Sequence, residues 1–482
     1  MLTASELASR SLLIDGQWRS THRTMPVRNP FDGALLAEVA CAGSGEVALA
    51  LSAARRGARV SRQLTTARRA QLLHAVAAIV GSQEDAFAQC ISCESGKPIT
   101  AARKEVRRCI NTLTLSAEEA TRIVGETINF DSYEGGASRS GYYFYEPLGI
   151  VVAITPFNDP LNLVAHKLGP AIAAGNAVIL KPSEQAPLSA LMLVRAFVEA
   201  GLPDGVINVL TGYGSEFGAQ LVSAPEVAMV SFTGGEKAGE AIAVAAGARK
   251  IAMELGANSP VIVTQHCNLV QAVSACVAGA FWASGQNCIG VQRVYIHRSI
   301  YSEFAAAMVA ATAQLRVGDP SLDATDVGPM VSPQEASRVH DWVSTAIQQG
   351  AELLCGGLAI GHAGYAPTLL SVADQAVPIA EQEVFGPVVT LHAFDDLDAA
   401  IEQANRPAYM IHAAIFTSQL QQAMHATQQL RCAGVLINDS TDYRLDAMPF
   451  GGAKRGAIGR EGVKYAIREM VQTKTVCMNL AN

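Results

Sequence analysis

The stretch that decides the fold begins Gly149-Ile150-Val151-Val152-Ala153-Ile154 and runs to Lys250-Ile251-Ala252-Met253-Glu254. Within it, short apolar runs of strand length alternate with longer segments whose apolar residues recur every three or four positions. Strands are expected at 149–154, 176–180, 206–210, 227–232 and 250–254, and helices at 163–174, 188–200, near 216–222 and at 235–246. This βα order predicts an α/β protein with a parallel sheet, whose ligands bind beyond the carboxyl ends of the strands. Upstream, 44–124 reads as Ala-rich helix broken once at Gly96-Lys97-Pro98, and 126–146 alternates Thr, Tyr and Phe around Gly135-Gly136 as a two-stranded ribbon. A second α/β block spans about 260–459, where a helix over 269–285 delivers Cys288. The β-prone tail Thr473-Lys474-Thr475-Val476-Cys477-Met478 has two candidate partners, the earlier ribbon or another subunit.

A chain of 482 residues exceeds one hydrophobic core, so two or three domains are expected. With 36 basic against 43 acidic residues and a net charge of -7, it has no basic stripe for phosphate contacts, which argues against a nucleic-acid partner. Local arginines remain able to bind a small anion. Met1-Leu2-Thr3-Ala4-Ser5-Glu6 shows no cationic and apolar leader pattern, and the apolar run 269–285 is too short to span a bilayer. Ten cysteines are too sparse for a disulfide framework in a chain of this length, and a reducing cytoplasm is expected. Cys90-Ile91-Ser92-Cys93 lies in an expected helix without a second pair of ligands, so no metal site is expected there.

Two segments carry chemistry. Phe281-Trp282-Ala283-Ser284-Gly285-Gln286-Asn287-Cys288 supplies a thiol, and Met253-Glu254-Leu255-Gly256 a carboxylate. A thiol adds to an aldehyde carbon, loss of hydride from that adduct leaves a thioester, and a carboxylate activates the water that releases the acid. For a cofactor, no G-x-G-x-x-G stands where the usual dinucleotide fingerprint requires it; Gly212-Tyr213-Gly214 has its next Gly at 218. Instead, Phe232-Thr233-Gly234-Gly235-Glu236-Lys237-Ala238-Gly239 follows a strand and opens a helix, leaving backbone N–H groups for a phosphate. One βα unit away, Lys181 and Glu184 of Leu180-Lys181-Pro182-Ser183-Glu184 are placed to bond ribose hydroxyls. A carboxylate there repels a 2′-phosphate, favouring NAD over NADP.

These motifs, with Pro156-Phe157-Asn158-Asp159-Pro160, Glu383-Val384-Phe385-Gly386-Pro387, Pro449-Phe450-Gly451-Gly452-Ala453-Lys454 and Gly459-Arg460-Glu461-Gly462, run in order along the chain. In this the chain resembles the NAD(P)-dependent aldehyde dehydrogenases. The resemblance implies a Rossmann-like cofactor domain (1–127 and 147–253), a catalytic domain (254–464) and an oligomerisation ribbon (128–146 and 465–482) that makes dimers or tetramers. It implies Cys288 as nucleophile, Glu254 as base, Asn158 with the Cys288 N–H as oxyanion hole, and Lys167 with Glu461 in a proton path. It places Thr155, Pro156, Phe157, Lys181, Ser183, Glu184, Phe232, Thr233, Gly234, Gly235 and Leu255 along the dinucleotide, with Glu383 and Phe385 at the nicotinamide end. Three positions depart from the common pattern: Ala257 for a frequent Gly, Gly456-Ala457 for Ser-Gly, and Asn287 at a variable site before the nucleophile.

The expected substrate tunnel is polar. Asp159, Asn162, His166 and Asn287 stand near the oxyanion and nucleophile motifs, Arg108 falls on the overlying helix, and Arg444 precedes Pro449-Phe450. A hydrophobic substrate would leave these groups desolvated and unpaired. The 156–167 stretch is similar to the subgroup with phosphonoacetaldehyde, sulfo- or phospholactaldehyde and lactaldehyde dehydrogenases, so a small anionic aldehyde is expected. Asp159 opposes a pure anion: either it pairs internally with an arginine or His166, or the substrate also carries an ammonium, as aspartate semialdehyde does. The rival readings are a CoA-acylating enzyme, against which Glu254 argues, and a catalytically silent binding relative, against which the intact Cys288, Glu254 and Asn158 argue.

Overall fold

Ile150–Ile154, Ala177–Lys181 and Val227–Thr233 are apolar almost throughout, so each needs a helical layer on both faces. The structure is a computed structural model that describes residues 12–373 and 377–480. The first eleven and last two residues of the expected domain segments lie outside that range. The three strands sit centrally in an eight-stranded sheet ordered 17–19, 12–14, 207–209, 177–181, 150–154, 227–233, 250–254 and 457–458. Its five strands between 150 and 254 run parallel, and the flanking ones are antiparallel. Register aligns Ile154 with Lys181 and Phe232, and Thr233 with Glu254, so the carboxyl ends of four adjacent strands finish together.

A second, seven-stranded sheet is ordered 352–355, 368–371, 388–394, 293–297, 260–263, 412–416 and 434–437. Residues 457–458 leave that block and pair with Met253 and Glu254, which brings the 450–461 segment against the end of the first sheet. A third sheet has three strands: Val471–Asn479 pairs along its whole length with Arg139–Pro147, which pairs only briefly with Glu126–Thr127. The ribbon is therefore built mainly between the tail and 139–147, and the expected hairpin around Gly135-Gly136 is reduced to two paired positions. No helix among the described residues is long and apolar enough to cross a membrane.

Two expectations are corrected. The region 44–124 holds four helices, Ser44–Gln63, Thr66–Ser82, Glu84–Ser95 and Ile99–Ala120, where one break was expected. Thr65 caps the second by accepting from the Arg68 amide, a stop-and-start that leaves the apolar periodicity unbroken. The helix before the cysteine ends at Phe281, and Ala283 and Ser284 adopt left-handed backbone angles (φ 47° and 58°). The Ser284 hydroxyl holds that turn by donating to the Gly328 carbonyl at 2.8 Å.

The helix Asn162–Ala174 has no exposed residue, so its polar side chains require internal partners. Between the sheets, buried Arg293 ties down the segment that follows Glu254. It donates to the Asn258 side-chain and main-chain oxygens at 2.9 and 2.7 Å, to the Tyr295 hydroxyl at 2.7 Å and to the Ala404 carbonyl at 3.1 Å. Arg293→Met removes these donors while leaving the acceptors buried, and is expected to cost about 3 kcal/mol or more. A thermal unfolding midpoint equal to that of the wild type would contradict this.

Candidate active site

Cys288 opens onto a cavity of about 510 Å³ whose wall includes Asn158, Asp159, Asn287, Trp282, Arg108, Arg444 and Phe450. The strand Ile150–Ile154 ends at the turn carrying Asn158, and the left-handed turn at 283–284 brings in Cys288 from the second block. Burial pushes the Cys288 thiol well up; the Glu383 and Glu254 carboxylates add to this and Arg444 opposes it. Burial thus disfavours the thiolate, and a thiol so placed needs a base in order to react as one. The Asn287 side-chain oxygen accepts from the Ile289 amide at 3.2 Å and shapes the turn through the cysteine.

Charges on the wall are paired among themselves. Asp159 bonds Lys97 and receives Arg108 Nη1 at 3.4 Å; although burial opposes it, these two cations hold its carboxyl below the usual range. Of the two readings of Asp159, internal pairing is the one observed, with Lys97 as main partner and not His166. Arg108 also donates to Asp446 at 2.9 Å, where Asn111 (3.2 Å), Asn162 (3.4 Å) and His166 (3.0 Å) converge. Burial and nearby Arg444 lower the pKa of His166, against the opposing pull of Asp446. Asn162 and His166 are fully buried and do not line the cavity. Their expected contact with substrate is corrected: they brace Asp446, because a helix with no exposed face turns them toward its neighbour.

Behind the cavity, Glu461 accepts from Lys167 and Thr233, each at 3.1 Å, and from Arg444 at 3.3 Å. Burial opposes ionisation, but Lys167 and Arg444 outweigh it and pull its carboxyl down to about 2. Lys167 also reaches Ser231 at 3.2 Å. The Arg444 guanidinium carbon lies over the Phe450 ring, 3.6 Å from its centre. Glu254, at the end of its strand, faces this group. Burial first and then the like charge of Glu461 push its carboxyl well above the usual range, and its Oε2 has no hydrogen-bond partner.

The four aligned strand ends gather a second group of residues. Gly239 packs so closely that a Cβ there would fall 2.5 Å from Leu255, which keeps the Glu236–Ala246 helix near the Phe232-Thr233-Gly234-Gly235 turn. At the turn between strands, the buried Thr155 hydroxyl has no partner. Lys181 pairs with Glu184, and Ser183 accepts from the Gln185 amide at 3.2 Å. Pro156 leads to Phe157, whose ring meets Phe385 edge-on at 5.8 Å. Phe385 is held at φ 49°, and Glu383 accepts from the Ala257 amide at 3.0 Å while burial raises its carboxyl to about 8. Gly256 permits this approach, since a Cβ there would fall 2.1 Å from Glu383 Oε2. An orphan hydroxyl, a glycine-packed helix start and a carboxylate at the far end are a donor set that fits a dinucleotide.

The aldehyde dehydrogenase family profile matches residues 18–476. The chain belongs to the aldehyde dehydrogenase family. It is 53% identical to "aspartate-semialdehyde dehydrogenase 1" of Pseudomonas canavaninivorans, covering 94% of this chain and 96% of that one. It is 40% identical to "3-sulfolactaldehyde dehydrogenase" of Priestia megaterium, with 100% of both covered. The NADP-complexed glyceraldehyde-3-phosphate dehydrogenase GapN of Methanocaldococcus jannaschii superposes with a TM-score of 0.92 at 38% identity, covering 95% of this chain and 100% of that chain. This member is an aldehyde oxidoreductase that uses NAD(P).

Among the residues around the cavity that escaped sequence reasoning are Lys97, Glu105 and Asp446. A signal existed for one. Glu105 falls among Ala102, Val106, Cys109 and Leu113 on the buried stripe of its helix, and a carboxylate on such a stripe demands a cation. The thiol's surroundings yield a test. Because burial raises its pKa, alkylation of Cys288 by iodoacetamide is expected to be slow at neutral pH and to climb without levelling through about pH 9. At fixed pH, Arg444→Met removes a cation that favours thiolate and slows the reaction, whereas Glu254→Gln removes an anion and speeds it, each by about two- to tenfold. Equal shifts in one direction would refute this electrostatic picture.

Proposed function

We propose that the enzyme oxidises a small aldehyde carrying a carboxylate or comparable anion, with an ammonium tolerated, to the free acid through a thioester at Cys288. The observation that carries the reading is one polar cavity shared by Cys288, Asn158, Arg108 and Arg444. The names of the relatives and of the solved structure (aspartate semialdehyde, sulfolactaldehyde, glyceraldehyde 3-phosphate) all denote anionic aldehydes. Arginine suits such a group because its planar donors match carboxylate, sulfonate or phosphate oxygens.

The Cys288 sulfur adds to the carbonyl carbon while Glu254 takes the thiol proton through water. Burial raises the proton affinity of both groups, which makes Glu254 a stronger acceptor than an exposed carboxylate. Charge gathers on the former carbonyl oxygen, where the Asn158 amide and the Cys288 N–H donate; one such donor is worth about 10²–10³ in rate. When bound, the nicotinamide cofactor accepts the hydride that leaves this carbon. Glu254 then deprotonates the water that attacks the thioester, the acid departs and the thiol is restored. Lys167 and Glu461 carry the surplus proton away from Glu254. The cofactor is assigned to Gly234 and Gly235 at its phosphates, Lys181 and Glu184 at a ribose, and Glu383 and Phe385 at the nicotinamide end, with Thr155, Pro156, Phe157, Ser183, Phe232, Thr233 and Leu255 beside it. NAD is preferred because Glu184 already neutralises Lys181 and would repel a 2′-phosphate.

The domain division is proposed as 1–127 with 147–253 for cofactor, 254–464 for catalysis, and 128–146 with 465–482 for assembly. The tail strand Val471–Asn479 stands at a sheet edge, and such an edge favours a partner strand from a second copy, hence a dimer or tetramer. Unpaired cysteines throughout the described residues favour the cytoplasm.

A substrate panel tests the central reading. Arg108→Ala and Arg444→Ala are each expected to lower kcat/KM for a charged aldehyde such as succinate semialdehyde about 10–100-fold more than for propanal. Equal losses for both substrates would sink the anion site, and acyl-CoA in place of acid as product would sink the hydrolytic route. For the cofactor, Glu184→Ser is expected to raise the NADP/NAD ratio of kcat/KM about tenfold; an unchanged ratio places the discrimination elsewhere.

A further inference from the structure

The break Gly96-Lys97-Pro98, which reads in the sequence as helix punctuation, brings a lysine to the base of the oxyanion turn. The Lys97 and Glu105 side chains are only 2% and 1% exposed. Lys97 Nζ bonds Glu105 Oε2 and Asp159 Oδ1 together. The other oxygen of Glu105 accepts from the Leu161 and Asn162 amides, at 2.9 and 3.0 Å, at the head of the Asn162–Ala174 helix. The Asp159 main-chain oxygen accepts from Leu163 at 3.1 Å, and its second carboxylate oxygen receives Arg108. On the other side of the turn, the Thr155 amide donates to the Lys181 carbonyl at 3.2 Å.

We propose that Lys97 and Glu105 are positioning residues for Asn158: through Asp159 and the two amides they fix the direction in which the Asn158 side chain donates into the cavity. The choice of residues follows from burial. Two carboxylates close together need a shared cation, and Lys97 is the one within reach of both. A neutral residue at 97 would leave Glu105 unable to serve the two amides as an anion. A neutral residue at 159 would leave the Lys97–Glu105 pair intact but cut its link to the turn. Asp159 is thus a strut in the wall, and its charge is spent on Lys97 before any substrate arrives. Displacing an oxyanion donor by about 1 Å costs up to about 100-fold in rate.

The inference rests on the reading of Asn158 as an oxyanion donor, and a double-mutant cycle separates the two. Uncharged propanal is the substrate, so that the anion site plays no part. Asp159→Asn is expected to lower kcat about 10–100-fold and to leave KM within about twofold. In an Asn158→Ala background the same change is expected to cost less than about threefold, because the donor it positions is already gone. Full multiplication of the two losses, or a raised KM with kcat unchanged, would overturn the proposal. An Asn158→Ala enzyme with normal kcat would remove the oxyanion reading itself, and the positioning role with it. Lys97→Arg, which keeps the charge but moves it, is run through the same cycle and carries the test should Asp159→Asn fail to fold by circular dichroism.

Discussion

The wall of the cavity depends on the cost of keeping ions out of water beside a reacting centre. Asp446 shows how that cost is met: it receives Arg108, Asn111, Asn162 and His166. These come from the Ile99–Ala120 helix and the fully buried Asn162–Ala174 helix, so a single carboxylate fastens the loop before Phe450 to both. Glu461 does the same one layer deeper, collecting Lys167, Thr233 and Arg444. Against the pull of burial, His166 and then Arg108 hold the pKa of Asp446 down, and Lys167 and Arg444 hold down that of Glu461. Breaking such a pair by losing one partner costs several kcal/mol, because the survivor stays buried and uncompensated. The polar wall is therefore also the rigid wall.

Against that background the two groups with raised pKa values stand out. Cys288 and Glu254 lie in the same region yet lack the close cation that Glu461 has, and Glu254 keeps an oxygen without a partner. Two neighbouring buried groups with raised pKa values mark this region as a candidate site, in keeping with the roles proposed for Cys288 and Glu254. Arg444 touches both halves of this arrangement. It is bonded to Glu461, stacked on Phe450 and exposed to the cavity beside Cys288. A single guanidinium thus helps to keep one carboxylate ionised and lowers the cost of forming the thiolate.

What was legible in the sequence follows the range of each physical signal. The βα run from Ile150 to Glu254 was readable because periodicity is local, and the residues at its strand ends (Thr155 to Asn158, Lys181 to Glu184, Thr233 to Gly235) gather because parallel strands in register finish at one edge. Helix breaks at 64–65 and 83 were missed because Ala-rich sequence continues smoothly across them. Asn162 and His166 were placed one wall too far forward, since periodicity reports a helix face but not whether the far side is also covered. The partners of Asp159 were least legible. Lys97 lies 62 positions away and met it only through the packing of two helices, and no local pattern encodes that meeting.

The same point bears on how selectivity is built. Lys104, Arg107, Arg108 and Arg444 face the cavity together with Asp159, Asp439, Asp442 and Asp446, so the formal charges of its wall cancel. Long-range attraction for an anion is correspondingly weak, and recognition must come from which donors are still open at contact distance. Asp159 is spent on Lys97 and Asp446 on its four partners, whereas the Nε atoms of Arg108 and Arg444 have no acceptor. A buried donor without a partner is costly until something fills it. Both atoms are also closed to solvent, so they belong to the interior of the wall and do not face the cavity. Under the anionic-aldehyde proposal, selection at this wall therefore rests on short-range contacts and not on net charge.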